Sequence, residues 1–242
     1  MLIVLPPSET KSTGGDHPPL NLAELSFPEL NPIREDIAQD LVALTGPDAL
    51  TALGISKKLA GEVELNNQLW EQPTAPAITR YTGVLYDALR PQDLTSQQSS
   101  SIAIGSALFG VVGAHDMIPH YRLSGGTKLP RRNDAAPAPT MKKRWGSAIT
   151  EVLADYPGLI VDLRSGTYQN LGKLKGATTL RVETPDGKVV SHFNKHYKGV
   201  LTREVCLSGE SPEKAEDFYD LTRELGFETQ LSGTTITMTV ER

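Results

Sequence analysis

Leu2-Ile3-Val4-Leu5 is an unbroken apolar run of strand length that Pro6-Pro7 stops, which predicts a short buried strand. Residues 12–22, rich in Gly, Pro and Asp, read as loop. After Asn31-Pro32 the apolar positions switch to a helical period, with Ile33, Ile37, Leu41 and Leu44 recurring as far as Gly46, and Pro32 suits a first helical turn. Pro47 to Leu53 reads as a second short helix. Gly54-Ile55-Ser56 reads as a turn in which Ser56 caps a third helix that runs through Leu59 and Val63 towards Trp70.

Past Pro73 to Pro76 the pattern predicts a strand over Ala77 to Tyr81 and a helix starting at Val84. It also predicts a polar helical or loop segment over 92–100 and a central strand at Ile102-Ala103-Ile104 that enters an apolar turn over 108–112. Thr140 to Leu153 reads as a helix and Leu159 to Leu163 as a buried strand. Thr178 to Glu183 and Lys188 to Phe193 read as a hairpin around Pro185-Asp186-Gly187. A helix from Lys195 to Val205, one opened by Ser211-Pro212, and strands over 227–231 and 234–240 complete the pattern. Without strict βαβ alternation, and with no repeat or long linker, the expectation is one α+β or irregular mixed α/β domain over residues 1–242.

The chain of 242 residues is long enough for a full core, and 22% charged residues do not suggest disorder. One cysteine, Cys206, excludes a disulfide scaffold and a cysteine-built zinc site. The apolar start gives way at once to Pro6-Pro7-Ser8-Glu9, so neither a signal peptide nor a membrane span is expected, and a cytoplasmic protein is the default. The net charge of −5 is unevenly placed: residues 1–50 hold Lys11 and Arg34 against eight acids, and residues 205–242 hold three bases against eight. The middle is therefore basic, above all residues 120–144, where Arg122, Lys128, Arg131, Arg132, Lys142, Lys143 and Arg144 face only Asp134. A basic groove and a merely solvated loop are equally compatible with this charge pattern.

Candidate chemistry follows the strand ends. Glu9 and Lys11 leave the first strand, where open sheets place ligands; Lys11 suits an anion, and Glu9 suits a general base if burial raises its pKa. The same segment is also an ordinary strand-exit turn, and it is not a P-loop. Gly105-Ser106 lacks the spacing of a nucleophile elbow and reads as close packing. Within His115 to Arg122, Arg122 suits a phosphate or carboxylate and Asp116 either orients it or moves a proton, against the alternative of a structural ion pair. His192 and His196 lack an intervening acid, so no metal site is expected. Lys195 and Lys198, one turn apart, suit phosphate contacts or plain solvation. Lys57 and Lys58, after Gly54, suit salt-sensitive contacts to a nucleic-acid backbone.

In this order the segments resemble the YaaA family of bacterial peroxide-stress proteins. The resemblance is carried by residues 2–11, Ile55 to Gly61, Tyr81 to Tyr86, Gly105 to Val111 and Asp116 to Leu123. It continues through Trp145-Gly146, Val161 to Ser165 with Tyr168, and Lys195 with Lys198-Gly199. It implies a helix-hairpin-helix-like element over about residues 47–66 and a basic cleft drawing on Lys11, Arg122, Lys195 and Lys198, with Ser165 beside them. It also implies a role in limiting damage from hydrogen peroxide and free iron, with DNA binding. The sequence departs from the family pattern at Gly113-Ala114, at Arg164 to Tyr168 and at Lys195 to Gly199, and these departures touch the cleft. Double-stranded DNA is therefore one expected partner and a phosphorylated or nucleotide-like small molecule the other. No cofactor is expected, and a preformed iron site built from five scattered histidines and one cysteine is not.

Overall fold

The computed structural model describes residues 1–134, 136–190 and 193–241. Its framework is a seven-stranded sheet of β1 (Leu2–Leu5), β3 (Ile102–Ser106), β4 (Gly110–Gly113), β6 (Ile160–Asp162), β7 (Thr178–Glu183), β8 (Thr229–Ser232) and β9 (Thr235–Thr239). A separate two-stranded ribbon pairs β2 (Ala75–Pro76) with β5 (Met117–Ile118). The sheet order is β4-β3-β1-β6-β7-β9-β8. Its five inner strands are parallel, and only the outer pairs β3/β4 and β8/β9 are antiparallel. The mixed α/β expectation holds in this more parallel form. Every residue of β1, β3 and β6 is buried, as strands covered on both faces must be. One apolar cluster runs from Leu2 to Val240.

Several elements differ from their sequence pattern for local reasons. Ala77–Arg80 is a helical turn rather than a strand. The Ala77 and Ile78 amides donate to the Asp116 and Ala114 carbonyls, which ties its start to the β4–β5 loop. Residues 110–113 are a strand rather than a turn, because Gly110 (φ 72°) reverses the chain onto β3. The helix expected over 140–153 is two helices, Met141–Trp145 and Ala148–Ala154, parted at Gly146 (φ 55°). Ser56 makes no side-chain cap, and the third helix begins as a 3-10 turn, Lys57–Leu59, before Gly61–Asn67. Ser211 does not open a helix: its Oγ accepts a bond from the Met1 amino terminus, and the helix starts at Ala215.

In the expected hairpin the turn forms, but β7 pairs along its length with β9. Among the described residues, the returning chain makes the Glu183–Val189 bridge. Ser191 and His192, and with His192 the pairing considered with His196, lie outside the described residues. No helix among the described residues is long and apolar enough to cross a membrane.

Candidate functional site

The strand order reverses between β1 and β6: the chain first builds outward from β1 through β3 to β4, then returns to β1's other side with β6 and β7. In open parallel sheets the crevice at the carboxyl ends beside such a reversal is where ligands bind. Three segments leave the sheet there, 6–11 after β1, 107–109 after β3 and 163–165 after β6.

On the β3 side, Lys11 packs its ammonium against aromatic rings, 4.2 Å from the centre of Tyr121 and 5.3 Å from that of Tyr81. It donates to the Ser8 carbonyl at 3.1 Å. Burial pulls its pKa down to about 8, opposed by the Glu9 carboxylate and assisted by the Arg122 cation. Beneath it the hydroxyls of Tyr81, Tyr121 and Ser106 form a chain with two 2.7 Å links, ending on the Phe109 amide, which donates to Ser106 Oγ. Burial pushes Tyr81 up to about 12, so these phenols stay neutral donors and acceptors near neutral pH.

Arg122 sits beside Glu9: its Nη1 donates to the Glu9 carbonyl at 3.1 Å and its Nη2 lies 3.5 Å from the carboxylate. Asn66 fixes the Arg122 backbone, accepting from its N–H at 2.8 Å and donating to its carbonyl at 2.9 Å. Tyr168 donates to Glu9 at 3.4 Å. The Arg122 guanidinium therefore pairs with Glu9 rather than with Asp116.

On the β6 side, a cleft of about 450 Å³ is lined by Pro6, Ser165, Asn194, Lys195 and Lys198 over a floor of Asp162 and Arg164. Arg164 grips Asp162 bidentately at 2.9 and 2.8 Å and also donates to the Gly172 carbonyl. The floor is thus neutral, and Gly105 makes room for it, since a Cβ there would lie 2.9 Å from Arg164 Cδ. Lys198, only 9% exposed, donates to the Leu163 carbonyl at 2.8 Å. Burial lowers its pKa to about 8, against the pull of Asp162 and with the push of Lys195. Its neighbour Gly199 lets the helix Asn194–Ser208 press onto the helix Val84–Leu89, because a Cβ would come within 2.2 Å of the Leu85 carbonyl oxygen.

The other candidates lie elsewhere. Asp116 accepts from the Ser26 amide and hydroxyl and from the Gly113 amide, all at 2.8–2.9 Å, and so staples the β4–β5 turn. Lys57 and Lys58 are exposed on their 3-10 turn after Gly54 (φ 64°). In the basic stretch Arg131, Arg132 and Arg144 close on Asp36 and Asp40 of the helix Asn31–Val42.

A model of the peroxide stress protein YaaA family matches residues 1–230. The chain belongs to the YaaA family. Among its relatives is a UPF0246 protein of Corynebacterium efficiens, 55% identical over 236 residues that make up 96% of each chain. A UPF0246 protein of Corynebacterium glutamicum is 55% identical over 93% of each chain. One of Streptomyces coelicolor is 38% identical over 95% of this chain and 92% of its own. Membership in the YaaA family supports a role in the response to peroxide.

Three tyrosines of this YaaA chain also face the crevice groups: Tyr81 and Tyr121 against Lys11, and Tyr168 against Glu9. Tyr81, Tyr121 and Tyr168 carry no charge pattern, and only their places beside Gly83, Arg122 and Ser165 hinted at them. The Asp162–Arg164 floor was readable as a carboxylate at a strand end followed by a guanidinium two residues on, but their mutual grip needs the chain turn that the structure shows.

Proposed function

We propose that this protein serves the peroxide response by binding DNA, using cations on the Lys57–Lys58 turn and along the strand-end crevice to meet backbone phosphates. The observation that carries this reading is the uneven use of positive charge. Arg131, Arg132 and Arg144 of the basic stretch are engaged by Asp36 and Asp40 and Arg122 by Glu9, whereas Lys57, Lys58 and Lys195, like Lys128, Lys142 and Lys143 of the stretch itself, are exposed and form no ion pair among the described residues. The short helices Gly46–Leu53 and Gly61–Asn67 on either side of the Gly54 turn act as the helix-hairpin-helix-like element, and Asn67 ties the second of them to the Val42 and Leu44 carbonyls. Contacts of this kind read phosphates rather than bases, so binding falls steeply with salt. Gel retardation of a short duplex tests it: a shift at low salt that fades as salt rises is expected, and no shift even at low salt overturns it.

A second reading, an enzyme acting on a phosphorylated or nucleotide-like small molecule, is favoured by one group. Lys11, held against two tyrosines beside Glu9 and Arg122, combines a readily lost proton with an anion-binding cation. In that reading Glu9 is the acid/base group, and Asp116 acts only by holding the adjoining loop.

A further inference from the structure

The β6-side cleft differs from a backbone-tracking surface in shape and in what it leaves unanswered. It is a recess of about 450 Å³ at the strand-order reversal, with its floor closed by the Asp162–Arg164 pair. Its titratable lining is Asp162, Arg164, Lys195 and Lys198, and since the first two neutralise each other it carries about two positive charges. Lys198 has one carbonyl partner and no carboxylate within ion-pair distance among the described residues, so two ammonium protons remain for a ligand. Ser165 adds a hydroxyl. The fifteen-residue helix Asn194–Ser208 begins in the cleft wall, which brings its positive dipole end to the same space.

Two cationic side chains, a hydroxyl and a helix start define a seat for a compact anion of high charge. We infer that this cleft seats the terminal phosphate of a phosphate monoester, such as a nucleoside monophosphate, more tightly than the backbone diesters that the crevice's outer lysines meet. A monoester presents three oxygens and up to two negative charges to converging donors. A diester offers one charge and two free oxygens, with a substituent on either side. The inference rests on the reading that the crevice takes phosphate, but it needs no duplex binding.

Isothermal titration of the full chain with inorganic phosphate, AMP, dimethyl phosphate and a short single strand with or without a 5′-phosphate tests it. Phosphate and AMP are expected to bind and dimethyl phosphate is not, with affinity falling above pH 8 as Lys198 loses its proton. Lys195→Ala should weaken AMP by about tenfold, the scale of one charge-assisted bond. Lys198→Met should abolish binding, with its thermal transition measured beside it. Ser165→Ala and Lys195→Ala change surface groups, so they report on the seat even if Lys198→Met fails to fold. Binding of the 5′-phosphorylated strand but not of its unphosphorylated form upholds the seat and names a strand end as its source; binding of AMP alone names a free nucleotide. The inference is overturned if no monoester binds, if dimethyl phosphate binds as well as AMP, or if Lys195→Ala and Ser165→Ala bind AMP like the native chain. Loss of duplex retardation with AMP binding intact would remove the DNA reading and leave this one standing.

Discussion

The arginines of residues 131–144 and the lysines of the strand-end crevice are both positive charges held against the fold, yet they are held in opposite ways. Arg144, Arg132 and Arg131 converge on two carboxylates one helical turn apart; Asp40 is 1% exposed and Arg144 approaches it at 2.5 Å. Lys11 and Lys198 are given carbonyl oxygens and aromatic rings instead, with no carboxylate in ion-pair reach among the described residues. A buried cation facing an anion has its field cancelled and belongs to stability. A buried cation facing only dipoles keeps its field, and its lowered pKa measures what the fold gives up to keep it. The arginines of the chain's most basic stretch are therefore among its least available positive charges, while Lys128, Lys142 and Lys143 there stay exposed.

The contrast can be broken at several points. Asp40→Ala takes from the buried Arg144 one of its two carboxylates and leaves it only Asp36, and should cost about 3 kcal/mol in urea unfolding. A loss under about 1 kcal/mol would show the network to be a surface ornament. Gly199→Ala drives a methyl into the Leu85 carbonyl, and should cost about 1–3 kcal/mol while displacing Lys198, so thermal stability and AMP binding fall together.

The pH response is smaller and opposite in sign to that of a salt-bridged lysine. Both crevice lysines titrate near 8 when folded and near 10.5 when unfolded. Between those values the unfolded chain holds more protons, so stability should rise from about pH 8 to pH 10. Above pH 10 the unfolded tyrosines ionise while Tyr81 does not, which ends the rise. Chemical denaturation across this range should show the increase, and Lys11→Met should shrink it; a flat or falling profile would contradict the assignment. Smallest of all, Arg131→Ala removes an ion pair between groups 42% and 38% exposed, and should change stability by less than about 1 kcal/mol in the same assay.

Much of the framework is legible in the sequence because buried parallel strands are unbroken apolar runs. Leu2–Leu5, Ile102–Ile104 and Leu159–Leu163 stand out for that reason and prove adjacent in the sheet. What stays hidden depends on partners distant along the chain. Ala77 to Tyr81 has strand composition but is turned helical by carbonyls nearly forty residues on. The same blindness affects the charges. Seven bases within 25 residues look like an exposed groove until Asp36 and Asp40 fold against three of them and Glu9 against a fourth. Residues 115–122 look like one constellation but serve four places: His115 binds Ser99, Asp116 binds Ser26, His120 binds Glu62, and only Tyr121 and Arg122 reach the crevice.

Fluorescence anisotropy of a labelled duplex across a salt series, comparing Lys57→Ala/Lys58→Ala with Arg131→Ala/Arg132→Ala, tests most directly whether the unengaged cations are the working ones. The slope of log affinity against log salt should fall by about 2 for the lysine pair and stay at the native value for the arginine pair. An unchanged slope for the lysine variant, or a reduced one for the arginine variant, would contradict the account.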